Sequence, residues 1–327
     1  MKPVFNYIIT IHNKEELIAE VLNAVIKCCG NNSFIYPVLD GCTDRSEEII
    51  DKIISANPAI PFTKIKLNDV HEIISINEGL RQSDQTKHGY NIILQDDVIL
   101  QNYAIEKTIE QIYTTTGSKL GYLSFRLGAN LDINLINTAE GPALIDYIES
   151  AYGHGIEKGT ILLPGQLAFR HISIKSPVCI PTKIINQYGL LDVQLAPCFL
   201  DDVEYCLRLL KAGYRNAVFS IKYQSDIEWG GTRKKPDPNV PKIIKKNMAY
   251  LKKKYGIDFL NNIASLKENE IIDIGACTDL NEKAAALAQY KINNNNRVKF
   301  ALKGMSLTQK ITYRLKTLTS MLKQTQQ

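Results

Sequence analysis

Short apolar runs alternate with amphipathic segments along the N-terminal part of the chain. Three segments have the mostly apolar character of buried parallel strands: 4–11, 34–39 and 90–94. Three others carry apolar residues at helical spacing: 17–26, 44–54 and 70–82. This alternation predicts an α/β fold with a mainly parallel central sheet and flanking helices.

Individual residues indicate where the first helix begins and where the second strand lies in the sheet. Asn13, followed three residues later by Glu16, has the form of a capping box, so we expect Asn13 to cap the first helix. Pro37 has no backbone N–H, which favours an edge or irregular position for the second strand.

The alternation weakens after the third unit. Strand-like runs recur at 121–127 and 166–174, whereas 141–165 has no clear periodicity and is interpreted as a lid or acceptor loop. The predicted organisation has three parts, namely a first half, a second half and a helical extension: 1–110, 111–256 and 257–327.

Composition narrows the class of protein. The chain has 327 residues, 45% of them hydrophobic, which is enough for a full core. It contains no apolar run of roughly eighteen residues, and its N-terminus lacks the features of a signal peptide. Seven cysteines without a CxxC pair indicate reduced thiols, so we expect a cytoplasmic protein.

Polar residues cluster where the predicted strands end. Ligands of open α/β sheets bind beyond the carboxyl ends of the strands, and residues 10–13, 40–44 and 95–97 fall at such ends. A second carboxylate pair, Asp201-Asp202, opens an amphipathic helix that ends near Gly213. One acidic cluster suits a metal ion, and the other suits a general base.

Several motifs in a fixed order resemble those of family 2 glycosyltransferases, which have the GT-A (Rossmann-like) fold. The motifs are Ile8-Ile9-Thr10-Ile11-His12-Asn13, Asp40-Gly41-Cys42-Thr43-Asp44, Gln95-Asp96-Asp97, Gln187-Tyr188-Gly189-Leu190-Leu191-Asp192, Asp201-Asp202-Val203-Glu204-Tyr205-Cys206-Leu207-Arg208, Gly230-Gly231-Thr232 and Lys254-Tyr255-Gly256. Their order and spacing from 7 to 256 carry the resemblance. It implies inverting transfer of a sugar from a nucleoside-diphosphate sugar to an acceptor hydroxyl. The acceptor would be a glycan or lipid-linked glycan in surface polysaccharide, lipopolysaccharide or other glycan synthesis.

The resemblance assigns the first carboxylate pair to the donor. Asp97 would bind a divalent cation, Mg²⁺ or Mn²⁺, which acts as a Lewis acid on the departing diphosphate. One protein carboxylate can suffice because waters and phosphate oxygens complete the coordination shell. Asp96 would hold the ribose. Alternatively, the pair is only a polar turn after a buried strand.

By the same resemblance, Thr10, His12 and Asp40 surround the nucleoside. His12 would lie against the base, and Asp40 would accept the hydrogen of its imide N–H. Asn77 matches an asparagine common in the family and is counted with these donor-binding residues. An ordinary loop role for His12 and a turn-capping role for Asp40 are the alternatives.

The second carboxylate pair would serve the acceptor. Asp202 is the candidate general base, which takes the proton of the acceptor hydroxyl, and Asp201 is the candidate helix cap beside it. The alternative is that both acids only stabilise the start of the helix.

Two departures from the family pattern concern the nucleoside pocket and the metal. Leu39 stands where the usual Asp-Asp-Gly motif has its first acid, so this motif does not specify the nucleotide base or the sugar. A histidine often precedes the closing Gly-Gly-Ser/Thr motif as a metal ligand, but this chain has none there. Asp226 or Glu228 could replace it, since hard cations accept carboxylates. Trp229, the only tryptophan, could stack on an acceptor sugar or pack in the core.

Other functions have weaker support. A catalytically degenerate GT-A domain that binds nucleotide sugar or glycan is favoured only by the missing histidine. A sugar nucleotidyltransferase should show a Gly-rich, basic phosphate loop after the first strand, and residues 10–13 do not form one. Nucleic-acid binding is not expected, because the basic stretch 233–254 lacks interleaved stacking aromatics.

The C-terminal tail is basic and amphipathic. Seven Lys and Arg residues and no acid follow Asn296, and they account for the net charge of +5. Apolar residues recur among them at spacings of three and four: Leu307, Ile311, Leu315, Leu318 and Leu322. Such a helix can lie in an anionic membrane surface, which would make the protein peripheral on the inner face of the cell membrane. Packing on the protein body or on a second subunit is the alternative.

Deletion of residues 297–327 should release the protein from anionic lipid vesicles, because it removes the cations and the apolar face together. Vesicle co-sedimentation measures this, with neutral vesicles as the control. Persistent binding of the truncated protein would contradict the membrane role of the tail.

Overall fold

The computed structural model describes residues 2–83, 85–138, 144–152, 160–225, 238–275, 284–289, 306–308 and 310–311. Its strands are β1 (Val4–Ile11), β2 (Ser33–Asp40), β3 (Ile65–Leu67), β4 (Gly89–Gln95), β5 (Val98–Leu100), β6 (Leu120–Ser124), β7 (Leu127–Ala129), β8 (Ile148–Ser150), β9 (Thr160–Leu162), β10 (Gln166–Arg170), β11 (Ile172–Ile174), β12 (Val178–Pro181), β13 (Arg215–Phe219), β14 (Tyr223–Ser225) and β15 (Ile271–Asp273). Its helices are α1 (Ile18–Cys28), α2 (Ser46–Ala56), α3 (Glu72–Gln82), α4 (Ile105–Thr116), α5 (Ile133–Ile136), α6 (Thr182–Tyr188), α7 (Asp201–Lys211), α8 (Val240–Tyr255) and α9 (Ile257–Ser265).

A nine-stranded sheet with the order β15-β10-β13-β6-β12-β4-β1-β2-β3 forms the centre of the described chain. Strands β3, β2, β1 and β4 are parallel, and β12 runs against both β4 and β6. Strand β13 runs with β6, so only β12 and β10 oppose the common direction. The predicted mainly parallel α/β sheet is confirmed.

The central sheet separates two apolar layers. Alternate side chains of β1 face opposite sides: Tyr7 and Ile9 pack with the layer that contains α1 and α4, whereas Ile8 packs with α3. Helix α3 lies close to the sheet at Gly79, where a Cβ atom would come within 2.5 Å of Ile8 Cγ2. Two smaller sheets, β11-β7-β8-β9 and β14-β5, flank the main one.

The expected capping box at Asn13 is wrong. Helix α1 begins at Ile18, and no side chain caps it. Asn13 has a φ of 49°, and its Oδ1 instead accepts the backbone N–H of Thr43 at 2.8 Å. The side chain therefore joins the loop after β1 to the loop after β2, which fixes the mouth of the site described below.

The edge position expected from Pro37 is also wrong, because β2 lies between β1 and β3. Ile35 donates its N–H to Pro61, and Gly41 donates its N–H to Leu67. The odd-numbered N–H groups of β2 thus point toward β3, and Pro37 omits one bond on that side, before β3 itself begins. An interrupted partner strand tolerates the missing donor.

The region after residue 256 was predicted to be a helical extension, but its described part also contains a strand of the central sheet. Helix α9 follows α8 directly, and the chain then returns to the central sheet as β15, which pairs with β10. The Ile274 carbonyl accepts the side-chain amide of Gln111 at 2.8 Å. Residues 271–275 are therefore part of the main domain.

The loop interpretation of 141–165 is corrected in part, because β8 and β9 lie within it and pair in parallel. Residues 141–143 and 153–159 lie outside the described chain, as does most of the tail at 297–327. No helix in the described ranges is long and apolar enough to cross a membrane.

Candidate active site

A pocket of about 650 Å³ lies at the carboxyl ends of three parallel strands. Thr10 and His12 come from the end of β1, Asp40 comes from the end of β2, and Asp96 and Asp97 follow β4. The structure therefore brings together five of the residues that the sequence assigns to the donor and the metal. The start of α7, with Asp201 and Asp202, forms the opposite wall.

The loop after β2 has the backbone shape that its Asp-Gly motif allows. Gly41 has a φ of 57°, and a Cβ atom there would lie 2.6 Å from the Cβ of Asp69. Asp40 is buried, and its Oδ1 accepts the backbone N–H of Val70 at 2.6 Å. Asp40 thus fixes the turn before α3 as well as lining the pocket.

His12 is oriented by backbone contacts. Its Nδ1 lies 2.6 Å from the carbonyl oxygen of Asp40, and since a carbonyl only accepts, Nδ1 carries the hydrogen. The amide of Asn13 donates to Nε2 at 3.3 Å. The exposed imidazole is therefore held at the pocket mouth in one tautomer.

Asp96 joins the loops after β1 and β4. Its Oδ2 accepts the backbone N–H of His12 at 2.8 Å, and Lys14 Nζ lies 3.7 Å from its Oδ1. Burial raises the pKa of Asp96 to about 6, although Lys14 and the His12 N–H favour the charged form. The carboxylate is ionised at neutral pH and able to accept further hydrogen bonds.

Asp97 is the pocket carboxylate that the family resemblance assigns to a divalent cation. It is half-buried, and the strand that follows it pairs with β14, where Ser225 lies opposite Val98. Among the described residues, no group of three or more His, Cys, Asp or Glu side chains could hold a metal. The arrangement fits a cation held by one carboxylate together with substrate oxygens and water. Asp226, Glu228 and Trp229 lie outside the described residues.

Asp201 does not cap α7, contrary to the prediction. Leu200 occupies the N-cap position with a φ of 65°, and Asp201 is the first helical residue. The buried Asp201 carboxylate lies 2.6 Å from Lys175 Nζ. The Asp201 carboxylate thus makes an ion pair in place of a capping bond, and its other oxygen, Oδ1, is buried and accepts no helix N–H.

Lys175 connects the two walls of the pocket. Its Nζ also lies 3.2 Å from Glu72 at the start of α3, and Glu72 accepts the side-chain amide of Gln95 at 2.7 Å. Burial alone would lower the pKa of Lys175, but Asp201 and Glu72 raise it above its usual value. The lysine is therefore a permanent cation in the pocket wall.

Asp202 is the carboxylate whose protonation is most finely balanced. Its Oδ2 accepts the backbone N–H of Lys175 at 3.3 Å, and its Oδ1 accepts that of Val203 at 2.8 Å. Burial, followed by the negative charge of Asp201, raises the pKa of Asp202 to about 7, while Lys175 opposes the rise. Such a group can take up and release a proton near neutral pH.

Asn77 is not among the described residues that line the pocket. It is buried on α3, where its Nδ2 donates to the Leu191 carbonyl and its Oδ1 accepts the Leu191 N–H, both at 2.9 Å. Asn77 therefore makes a buried structural contact in this structure, and its expected donor contact stays a prediction.

Among the pocket residues that were missed in the sequence are Glu72, Arg126 and Lys175. Lys175 follows the strand-like run 166–174, and Arg126 falls within the run 121–127. The rule that ligands bind at strand ends could have indicated Lys175, because it directly follows a predicted strand.

Comparison with known proteins shows what part of the chain resembles a family and which solved structures share its fold. Residues 7–122 match the sequence model of glycosyl transferase family 2. The resemblance of this part of the chain to family 2 is thereby confirmed, and the central sheet with its flanking helices has the fold of GT-A glycosyltransferases. No curated protein matches the chain by sequence.

Two solved structures illustrate the similarity of fold. S. aureus TarS 1–349 in complex with UDP-GlcNAc is 13% identical, with a TM-score of 0.52 over 93% of this chain and 77% of that chain. The mannosyltransferase PcManGT from Pyrobaculum calidifontis, in complex with GDP-Man and Mn²⁺, is 12% identical, with a TM-score of 0.51 over 98% and 81%. This chain spans only 37% of the longer S. aureus TarS chain.

Asp202→Asn should stabilise the protein at pH 8. The folded pKa of about 7 lies above the unfolded value of about 3.9, so stability falls as the pH rises between these values. Asparagine has no proton to lose. We expect its free energy of unfolding to exceed that of the wild type by a few kcal/mol at pH 8 and by less at pH 5.

Asp192→Asn is the matched control for the denaturation measurements. Burial alone would raise the pKa of Asp192, but hydrogen bonds from Lys254 and Tyr250 lower it. This variant should therefore be destabilised at pH 8, with a difference that stays nearly constant down to about pH 4 and shrinks below it. A pH-independent effect of Asp202→Asn would show that Asp202 does not titrate near neutrality.

Proposed function

We propose that the protein transfers a sugar from a nucleoside-diphosphate sugar to an acceptor hydroxyl with inversion at the anomeric carbon. The observation that carries this proposal is that one pocket contains both Asp97, a ligand suited to a divalent cation, and Asp202, a carboxylate with a pKa of about 7. The family 2 match supports the reaction class.

The donor occupies the half of the pocket formed by β1, β2 and β4. The nucleobase of the donor lies near His12 and Asp40. The relative position of these two residues is fixed by the hydrogen bond from His12 Nδ1 to the Asp40 carbonyl. Asp96 accepts hydrogen bonds from the ribose hydroxyls with the lone pairs that the His12 N–H does not use. Thr10 completes this surface.

Asp97 holds a divalent cation, Mg²⁺ or Mn²⁺, which when bound neutralises the negative charge that develops on the leaving diphosphate. The support in this chain is an oxygen ligand at the end of β4, where the diphosphate of a donor bound to β1 and β2 would arrive. The neighbouring Asp96 is already engaged by His12 and Lys14.

Asp202 acts as the general base. The acceptor oxygen forms its bond to the anomeric carbon as the bond to the diphosphate oxygen breaks on the opposite face, and Asp202 takes the hydroxyl proton. The Lys175 charge stabilises the ionised form of Asp202, and burial with Asp201 makes that form a stronger base. The two effects hold the pKa near the pH at which a base is most useful.

The acceptor is a glycan or lipid-linked glycan, and the pathway is surface polysaccharide or other glycan synthesis. The proposed attachment of 297–327 to an anionic membrane would bring the pocket to a lipid-linked acceptor. The basic composition of the tail supports this part of the proposal.

Metal-dependent donor binding tests the donor site. Calorimetric titration with UDP-, dTDP- and GDP-sugars, with and without Mn²⁺, should show one nucleotide class whose binding is strengthened by the metal. Asp97→Asn should abolish that strengthening, because the variant loses the anionic ligand. Asp69→Asn is the control, since Asp69 also lines the pocket but lies on the loop after β3. An equal response of both variants would reject Asp97 as the ligand.

Measurement of kcat tests the role of Asp202 as the general base. Asp202→Asn should lower kcat by about 10²- to 10⁴-fold and leave donor affinity unchanged. The wild-type rate should rise with pH up to about 7, because the carboxylate must be ionised. Asp192→Asn, outside the pocket lining, should keep the rate. Donor binding without turnover in the wild type would instead favour a binding-only GT-A domain.

A further inference from the structure

Arg126 is a pocket residue with a defined position and no assigned role. Strand β6 runs in the direction of β4, so it ends at the same edge of the sheet. Arg126 lies in the tight turn between β6 and β7, where its N–H donates to Ser124 Oγ at 3.0 Å and Ser124 donates to the Ile174 carbonyl. The half-buried side chain lines the pocket.

The guanidinium group of Arg126 differs from the other pocket cations. Lys14 lies near Asp96, and Lys175 pairs with Asp201 and Glu72. Arg126 forms no ion pair and no side-chain hydrogen bond with any residue in the described ranges. A partly buried cation without a partner is unfavourable by itself and is balanced when an anion binds.

The pairing of β7 with β11 places Arg126 on the acceptor side. Ile174 lies opposite Leu127, so the next residues outward on the two strands are Lys175 and Arg126. The backbone N–H of Lys175 donates to Asp202, the proposed base. Arg126 is therefore a cross-strand neighbour of the residue that contacts the base.

The donor lies farther away in the sheet. The strand order runs β6-β12-β4-β1-β2, and at about 4.8 Å per strand the end of β6 is roughly 10 Å from β4 and 14 Å from β1. The nucleoside-binding side chains lie on β1 and β2, and the diphosphate lies near Asp97 after β4. The backbone of Arg126, at the end of β6, lies beyond both, on the side toward α7.

We propose that Arg126 binds an anionic group of the acceptor, a phosphate or a carboxylate, so that the acceptor of this enzyme is an acidic molecule. The assignment of the acceptor side rests on the proposed function. The planar guanidinium donates two parallel hydrogen bonds to such an oxyanion, which positions the acceptor hydroxyl beside Asp202.

Anion binding tests this proposal directly. The protein, saturated with Mn²⁺ and the nucleoside diphosphate of its donor, is titrated with inorganic phosphate and separately with acetate. The nucleotide fills the donor side, so the remaining anion site is that of the acceptor. Arg126→Gln should weaken the binding of at least one anion about 10- to 100-fold, as expected for a charged hydrogen-bonded pair. The affinity for the nucleoside diphosphate should stay within about twofold.

Two variants serve as controls. Arg126→Lys keeps the charge and loses the paired N–H donors of the guanidinium. It should therefore bind the anion more weakly than the wild type and more strongly than Arg126→Gln. Arg81→Gln removes a half-exposed arginine of α3 that pairs with Glu78 outside the pocket lining, and it should leave anion affinity unchanged. Arg126→Lys also covers the case in which the glutamine variant does not fold.

Three results would overturn the proposal: unchanged anion affinity in Arg126→Gln, absence of measurable anion binding to the wild type, or a comparable loss of nucleoside-diphosphate affinity, which would assign Arg126 to the donor. The same titration without nucleotide separates this proposal from the proposed function. If the protein bound anions in an Arg126-dependent way but bound no nucleotide, the anion site would be supported and the proposed sugar transfer would be rejected.

Discussion

The contact between Lys175 and Asp201 governs the geometry of the pocket. It lies where two walls from distant parts of the chain meet, because Lys175 follows β11 and Asp201 begins α7, while Glu72 on the same ammonium group belongs to α3. Removing one partner of such a buried pair typically costs about 3–5 kcal/mol, since the other charge is left without compensation. The interaction therefore constrains the separation of α3 and α7, and with it the distance between the two walls of the pocket.

The charge pattern of the pocket gives neighbouring carboxylates different chemistry. Asp201 is held next to an ammonium group, whereas Asp202 is buried beside Asp201 and has its pKa raised to about 7. Asp96 occupies an intermediate position, with a pKa of about 6 set by burial against Lys14 and the His12 N–H. Environment, more than residue type, distinguishes a structural ion, a proton acceptor and a hydrogen-bond acceptor among these aspartates.

Local patterns in the sequence were sufficient for the main elements and for much of the site. The apolar run of β1 and the strand-end position of Asp40 and Asp96 could be predicted because both depend on neighbours in sequence. The capping role of Asn13 was wrong because Thr43, distant in sequence, donates to its Oδ1. That of Asp201 was wrong because Asp201 is already the first helical residue and pairs with Lys175. Lys175 directly follows a predicted strand and could have been found by the rule that ligands bind at strand ends, whereas Arg126 acquires its place beside Lys175 from the register of β7 with β11, which no local pattern encodes.

The return of the chain to the sheet at β15 has a consequence for how the protein can be made and divided. Until residues 271–273 pair with it, β10 is an outer strand with free N–H and C=O groups on one side. Such an unpaired edge is a template for association with other chains. During synthesis this edge stays open until almost all of the described domain has left the ribosome. A fragment cut after residue 256, where the sequence motifs end, would expose the same edge permanently.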